Sequence, residues 1–112
     1  MKHIQDFEGF LNEANNSPEE KKLISAGKQI IKAQYLTKSG EFVLVTPTTN
    51  ISFACAGGAD IDIASGDETQ IKNTAIKNVK IDLYEVQLEF SNGETIVLED
   101  GTGGEGIEIS YS

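Results

Sequence analysis

After Gly27 the apolar residues stop recurring at helical intervals and begin to alternate. Ile31, Ala33 and Tyr35 alternate with Lys32 and Gln34, Ile51, Phe53 and Cys55 with Ser52 and Ala54, and Ile61 and Ile63 with Asp60 and Asp62. A two-residue period puts every second side chain on one face of an extended segment, so each run reads as a strand with one greasy side. The stretches TKSGE, AGGAD, SGDE and SNGE fall between the runs and carry the residues that turns demand. The segment QIKNTAIKN is open between a short helix and a short strand. The pattern predicts a mainly β chain, a small β-barrel or sandwich of about six to eight strands with one or two N-terminal helices. Barrel and sandwich are equally compatible with it. At 112 residues the chain is one domain with at most a short appendage, long enough to bury about two thirds of its extended surface.

Register can be argued for two hairpins. A three-residue loop with a left-handed glycine at Gly93 pairs Leu88 with Ile96 and Val86 with Leu98. It places Val86, Leu88, Phe90, Ile96 and Leu98 on one face. The segment AQYLTKSGEFVLVTPTT aligns with VQLEFSNGETIVLEDGT, matching Gln34 with Gln87, Gly40 with Gly93, Glu41 with Glu94 and Thr49 with Thr102. The same loop there pairs Tyr35 with Val43 and Ala33 with Val45. A duplication and two hairpins obeying one rule both explain the likeness. Between these hairpins Val79, Ile81 and Leu83 keep odd parity while Val86, Leu88 and Phe90 keep even parity. One long strand with a β-bulge near Tyr84 and Glu85 would switch parity in this way.

Two helical segments precede the strands. Ile4, Phe7, Leu11 and Ala14 form an apolar stripe, with Phe10 beside it and Lys2, Asp6, Glu8, Asn12 and Glu13 opposite. So short a helix is marginal alone in water and needs a surface to lie on. Ser17, Pro18 and Glu20 form a capping box for a helix over 18–26, and Gly27 is placed to end it in a left-handed turn. The division expected is therefore an amphipathic segment 1–14, for targeting or docking, and a β-rich domain 15–112 with a capping helix 18–26.

Charge is distributed unevenly. Nine lysines face eighteen carboxylates, and the net charge is −9. There is no arginine. All the lysines lie at or before Lys80, whereas Asp82, Glu85, Glu89, Glu94, Glu99, Asp100, Glu105 and Glu108 follow it. A field of this sign repels phosphate backbones and anionic lipid, so neither nucleic acid nor membrane is expected as a partner. No apolar run approaches the roughly 20 residues of a membrane span, and no secretory signal is read. The single cysteine, Cys55, allows no intrachain disulfide and argues against an oxidising destination.

Little in the chain points to catalysis. A nucleophile needs a base and an orienting group, but the one histidine is His3 and the one thiol is Cys55, on the apolar parity of its strand. Two such residues do not make a zinc site, and CAGGAD and GTGGEG lack the lysine and serine of a phosphate loop. The expectation is no catalytic, cofactor or metal residue. Carboxylates are the residual chemistry. Asp60 and Asp62 share a strand face and could meet Asp67 and Glu68 across a turn, and Glu85 would lie opposite Glu99. Such groups could hold calcium or serve a carboxylate hydrolase, although alternating acids are commonly a wet sheet face.

The opening MKHIQDFEGFLNEA resembles the N-terminal capsid-targeting peptides of small internal proteins of contractile-tailed, myovirus-type phages. Those begin Met-Lys, carry a phenylalanine-centred amphipathic segment and end in Glu-Ala. In that family the prohead protease cuts after glutamate in a Leu/Ile-x-Glu pattern before a small residue. The resemblance covers residues 1–14. It implies recognition of Leu11 and Glu13 and cleavage of the Glu13–Ala14 bond, a candidate processing site. The alternative is a helix that packs on the β domain or mediates self-association. Together these observations predict a non-enzymatic structural or interaction protein, a phage virion-associated or accessory protein if the resemblance holds, self-assembling or bound to a protein partner. Its location would be cytoplasmic or virion-associated. The competing reading is an acidic decoy that occupies the basic groove of a nucleic-acid enzyme.

Overall fold

A computed structural model of the chain describes residues 16–101 and 105–112. The opening segment, with Leu11, Glu13, Ala14 and His3, lies outside the described residues. The order is α1 (Pro18–Ala26), β1 (Ile30–Leu36), β2 (Glu41–Val45), β3 (Asn50–Cys55), β4 (Ile61–Ser65), β5 (Lys72–Thr74), β6 (Ile76–Ile81), β7 (Glu85–Phe90), β8 (Thr95–Asp100) and β9 (Ile107–Tyr111). The described strands number nine, one beyond the expected range, because QIKNTAIKN supplies both β5 and the start of β6. They form two antiparallel sheets, β5-β1-β2-β3-β9 and β4-β8-β7-β6. The sheets are not closed into a barrel. β5 ends one sheet and β6 ends the other, and only Ala75 separates them, so the chain turns a corner between sheets at that residue.

The β7–β8 hairpin has the expected register. Leu88 faces Ile96 and Val86 faces Leu98. Gly93 takes φ +92° in the loop, and the Gly93 N–H donates to the Phe90 carbonyl. The β1–β2 hairpin departs from expectation. Its loop holds four residues, Thr37 to Gly40, closed by the Gly40 N–H on the Leu36 carbonyl at 2.7 Å, with Gly40 at φ +70°. One extra loop residue shifts the register by one, so Tyr35 faces Phe42 and Ala33 faces Leu44 instead of Val43 and Val45. Phe42 and Leu44 are therefore the core residues of β2, fully buried. Val45 sits half-buried opposite Lys32, and Val43, although buried, lies opposite Gln34 and Ser52. The two hairpins are not equivalent in register, and they belong to different sheets. At the start of β1, Ile30 is buried and Ile31 is 40% exposed, the reverse of the simple alternation.

The expected bulge near Tyr84 and Glu85 is a reversal of the chain. β6 and β7 pair antiparallel, with Ile81 facing Val86 and Val79 facing Leu88. An odd-numbered residue opposite an even-numbered one switches parity as a bulge does, so both geometries leave the same sequence pattern. Gly27 also differs from expectation. α1 is capped as predicted, but Gly27 sits at φ −97°, ψ 26°, outside the left-handed region. The reason for glycine there is proximity: a Cβ would come within 2.3 Å of the Ile76 side chain. The Gly27 carbonyl also accepts the Ile76 N–H at 2.8 Å, which ties the helix end to β6.

The inward faces of both sheets meet in one apolar cluster. Phe42, Leu44, Ile51 and Phe53 come from one sheet, Val86, Leu88, Phe90, Ile96 and Leu98 from the other, and Leu23 from α1. The Phe42 and Phe53 rings sit 5.9 Å apart at 58°, a tilted contact that favours aromatic pairs beyond area alone. Each such fully buried side chain contributes about 1.5–3 kcal/mol of transfer free energy.

Candidate functional site

The cluster closest to reaction chemistry lies where β3 ends and β9 begins. Cys55 is 6% exposed and its thiol donates to the Asp60 carbonyl at 3.5 Å. Burial pushes the thiol up from its ordinary pKa, and the Asp100 carboxylate adds to the effect by charge and hydrogen bond. A nucleophilic thiolate needs the opposite setting, a partly exposed and electropositive one. Asp100 is itself buried and accepts the Gly106 N–H at 2.9 Å. The Tyr84 carbonyl accepts the Asp100 N–H and the Leu83 carbonyl accepts the Ile107 N–H. The cluster thus laces the β6–β7 turn, the end of β8 and the start of β9 together.

The carboxylates are arranged differently from the sequence-level grouping. Asp67 caps the short 3-10 turn Glu68–Gln70, accepting from the Thr69 N–H at 3.0 Å and the Thr69 hydroxyl at 2.7 Å. Those bonds hold its carboxyl below the usual range. Asp60 precedes β4, and Asp62 is exposed on it. Among the described residues no group of three or more histidine, cysteine, aspartate or glutamate side chains is placed to hold a metal ion. Glu85 does lie opposite Glu99, as predicted. Glu99 in turn lies opposite Asp62 on its other side. Three carboxylate-bearing residues therefore follow one another across β4, β8 and β7, on the face turned away from the core. Like charges in directly opposed positions cost stability.

The same outer face carries a shallow groove of about 190 Å³ between β6 and β7, lined by Asn78, Lys80, Gln87, Glu89 and Thr95 among others. Its rim holds one lysine and one glutamate, so it has no single sign of charge.

Among the described residues, the most exposed large apolar side chains adjoin each other at the β6–β7 turn: Leu83 at 63% and Tyr84 at 44%. Three main-chain bonds fasten this turn, from Asp82 N–H to the Glu85 carbonyl at 2.8 Å, from Asp100 N–H to Tyr84 at 3.0 Å, and from Ile107 N–H to Leu83 at 2.9 Å. The tip is missed by sequence reasoning because a bulge within a strand would have kept Leu83 on the core parity. The run Asp-Leu-Tyr-Glu, two apolar residues between two acids, is the signal that a turn could have been read from. Compared with protein-family models, curated proteins and solved structures, the chain matches none.

Proposed function

We propose that this chain is a non-enzymatic structural or interaction protein that acts through its surfaces and associates with itself. The observation that carries the reading is the β6–β7 tip, where Leu83 and Tyr84 are held in solvent by a turn with three main-chain bonds. Isolated exposed apolar residues are ordinary on protein surfaces, but two adjacent ones on a fastened turn make a preorganised contact element. The burial of Cys55 beside Asp100 agrees with this reading, since it holds the thiol protonated. The two sheets are read as a sandwich, supported by the joint core between their inward faces. The resemblance of residues 1–14 to phage targeting peptides supports a role as a virion-associated accessory protein. Light scattering tests the self-association. Mass should rise with concentration in the native chain and rise less in the Leu83→Ser, Tyr84→Ser double variant. Equal behaviour of the two chains counts against the tip.

A second reading has its own observation. The row of Asp62, Glu99 and Glu85 gives one sheet face a concentrated negative field, which suits an acidic decoy for a basic groove. Inhibition of a nucleic-acid enzyme at low salt, relieved by Glu85→Gln with Glu99→Gln, would support it. No inhibition at low salt would remove it.

A further inference from the structure

Four strands end the two sheets, and three of them have their edges blunted. On β6 the outward N–H groups of Ile76, Val79 and Ile81 donate to the Gly27 carbonyl, the Asn78 side chain and Glu20. On β4 the Ile61 N–H donates to the Gly40 carbonyl and its carbonyl accepts the Tyr35 hydroxyl, and the strand is bulged after Ile63. β5 has only three residues, with Asn73 at φ +51°. Short length, bulges and covering groups are the devices by which sheet edges are protected from pairing. On β9 the Leu83 carbonyl covers the first N–H, at Ile107, and Lys22 Nζ lies 4.5 Å over the Tyr111 ring, but among the described residues none of these devices covers the main chain of Ile109 and Tyr111.

Hydrogen-bond parity shows which β9 groups face away from β3. Asn50 and Ser112 exchange two main-chain bonds, and the Gly106 carbonyl accepts the Ala56 N–H. The antiparallel alternation therefore turns the main-chain groups of Glu108 and Ser110 toward β3 and those of Ile107, Ile109 and Tyr111 outward. The Ile107 N–H is taken by the Leu83 carbonyl. Among the described residues, no strand lies beyond Ile109 and Tyr111.

We infer that the β9 edge is an interface for a second copy of this chain, paired antiparallel about a two-fold axis through Ser110. This rests on the self-association proposed above and adds to it a main-chain contact beside the Leu83–Tyr84 tip, whose Leu83 carbonyl holds the Ile107 N–H at the end of the paired stretch. In this register Ile109 and Tyr111 of the second copy exchange N–H and carbonyl bonds, twice by symmetry, which uses both outward groups of both residues. Pairing stops short of the position that Leu83 occupies. Ile109 meets Tyr111 on the core-facing side, a favourable β-branched and aromatic pair. Ser110 meets Ser110, and Glu108 meets Ser112. An axis at Ile109 would need the Ile107 N–H that Leu83 already holds, and an axis at Glu108 would oppose two glutamates. The chain is thus complementary to itself in one register, which favours a second copy over an unrelated peptide.

Cysteine cross-linking tests the register. Opposed residues of a non-hydrogen-bonded pair have Cα atoms about 4.5 Å apart, within disulfide range. Ser110→Cys, on the exposed face, should convert to a disulfide-linked dimer under mild oxidation, whereas Glu108→Cys should not. Ser110→Glu opposes two like charges at the axis and should weaken dimerisation roughly tenfold. Cross-linking of Glu108→Cys in preference to Ser110→Cys overturns the register. A native chain that dimerises while Ser110→Cys stays uncross-linked overturns this edge and leaves self-association standing. A native chain that is monomeric throughout overturns both. Amide exchange at Ile109 and Tyr111 should be fast in dilute solution; protection there means the chain's own segment fills the edge, which also overturns the proposal.

Discussion

Glu20 and Ile81 stand 61 residues apart in the chain and are joined by one hydrogen bond, in which the Ile81 N–H donates to Glu20 Oε2 at 2.7 Å. The other carboxylate oxygen accepts the Ser17 N–H at 2.8 Å, and the Glu20 N–H donates to Ser17 Oγ at 3.1 Å. One side chain thus closes the capping box of α1 and covers the edge of β6.

Removing it should cost more than a helix cap alone. Glu20→Ala leaves the buried-side Ile81 N–H without its acceptor, a loss of about 1–3 kcal/mol, in addition to the cap. Glu20→Gln keeps one acceptor oxygen and should lose less than Glu20→Ala. Urea denaturation of the three chains gives the order directly.

Relief of the carboxylate row should stabilise the fold. Glu99 is flanked by Asp62 and Glu85 in directly opposed positions, so Glu99→Gln should raise stability by about 0.2–1 kcal/mol. The native chain should also gain stability as salt is added, and the variant less so, because exposed charges are screened. Denaturation midpoints at low and high salt measure both effects.

The parts of this structure that were legible in the sequence are the local ones. The Gly93 loop and the alternation around it specify the β7–β8 register, and with it the Glu85–Glu99 opposition. Ser17, Pro18 and Glu20 specify the start of α1. The β1–β2 register was not legible, since TKSG closes a three- or a four-residue loop with the same glycine at positive φ. The reversal at Leu83 and Tyr84 was hidden because a bulge and a tight turn with odd-to-even pairing switch parity alike. Asp62 could not be placed beside Glu99 for a different reason: β4 pairs with β8 across many intervening residues, and no local rule sets that partner. The bond from Glu20 to Ile81 is likewise invisible to any local pattern.

The corrected β1–β2 register makes its own prediction. Phe42 is fully buried against Phe53, so Phe42→Ala should cost about 3–5 kcal/mol. Val45, which the equal-loop register would have put in the core, is half-buried opposite Lys32, and Val45→Ala should cost about 1 kcal/mol or less. Similar losses for the two variants would contradict the observed pairing.

Stability should fall in alkali. Burial, with the Asp100 carboxylate, holds the Cys55 thiol above its ordinary 9.0. Burial, with Asp60 and Asp62, holds the Tyr35 hydroxyl above 10.0, and burial with Glu19 does the same for Tyr111. A raised folded-state pKa means that above the ordinary value the unfolded chain has released protons that the folded chain still holds. The contribution is therefore fully present below about pH 9 and is lost as pH climbs through the raised values. Thermal melting followed from neutral pH upward should stay level in this respect and then decline, with a shallower decline in Tyr35→Phe.

Sedimentation equilibrium of the unaltered chain, from about 10 µM to about 1 mM, reads its self-association without any substitution. This range spans association free energies of roughly −7 to −4 kcal/mol, those of a weak edge-paired dimer. For a chain that pairs with itself the weight-average mass climbs from the 12.1 kDa of one chain toward twice that value. A mass that stays at one chain over the whole range would contradict self-association.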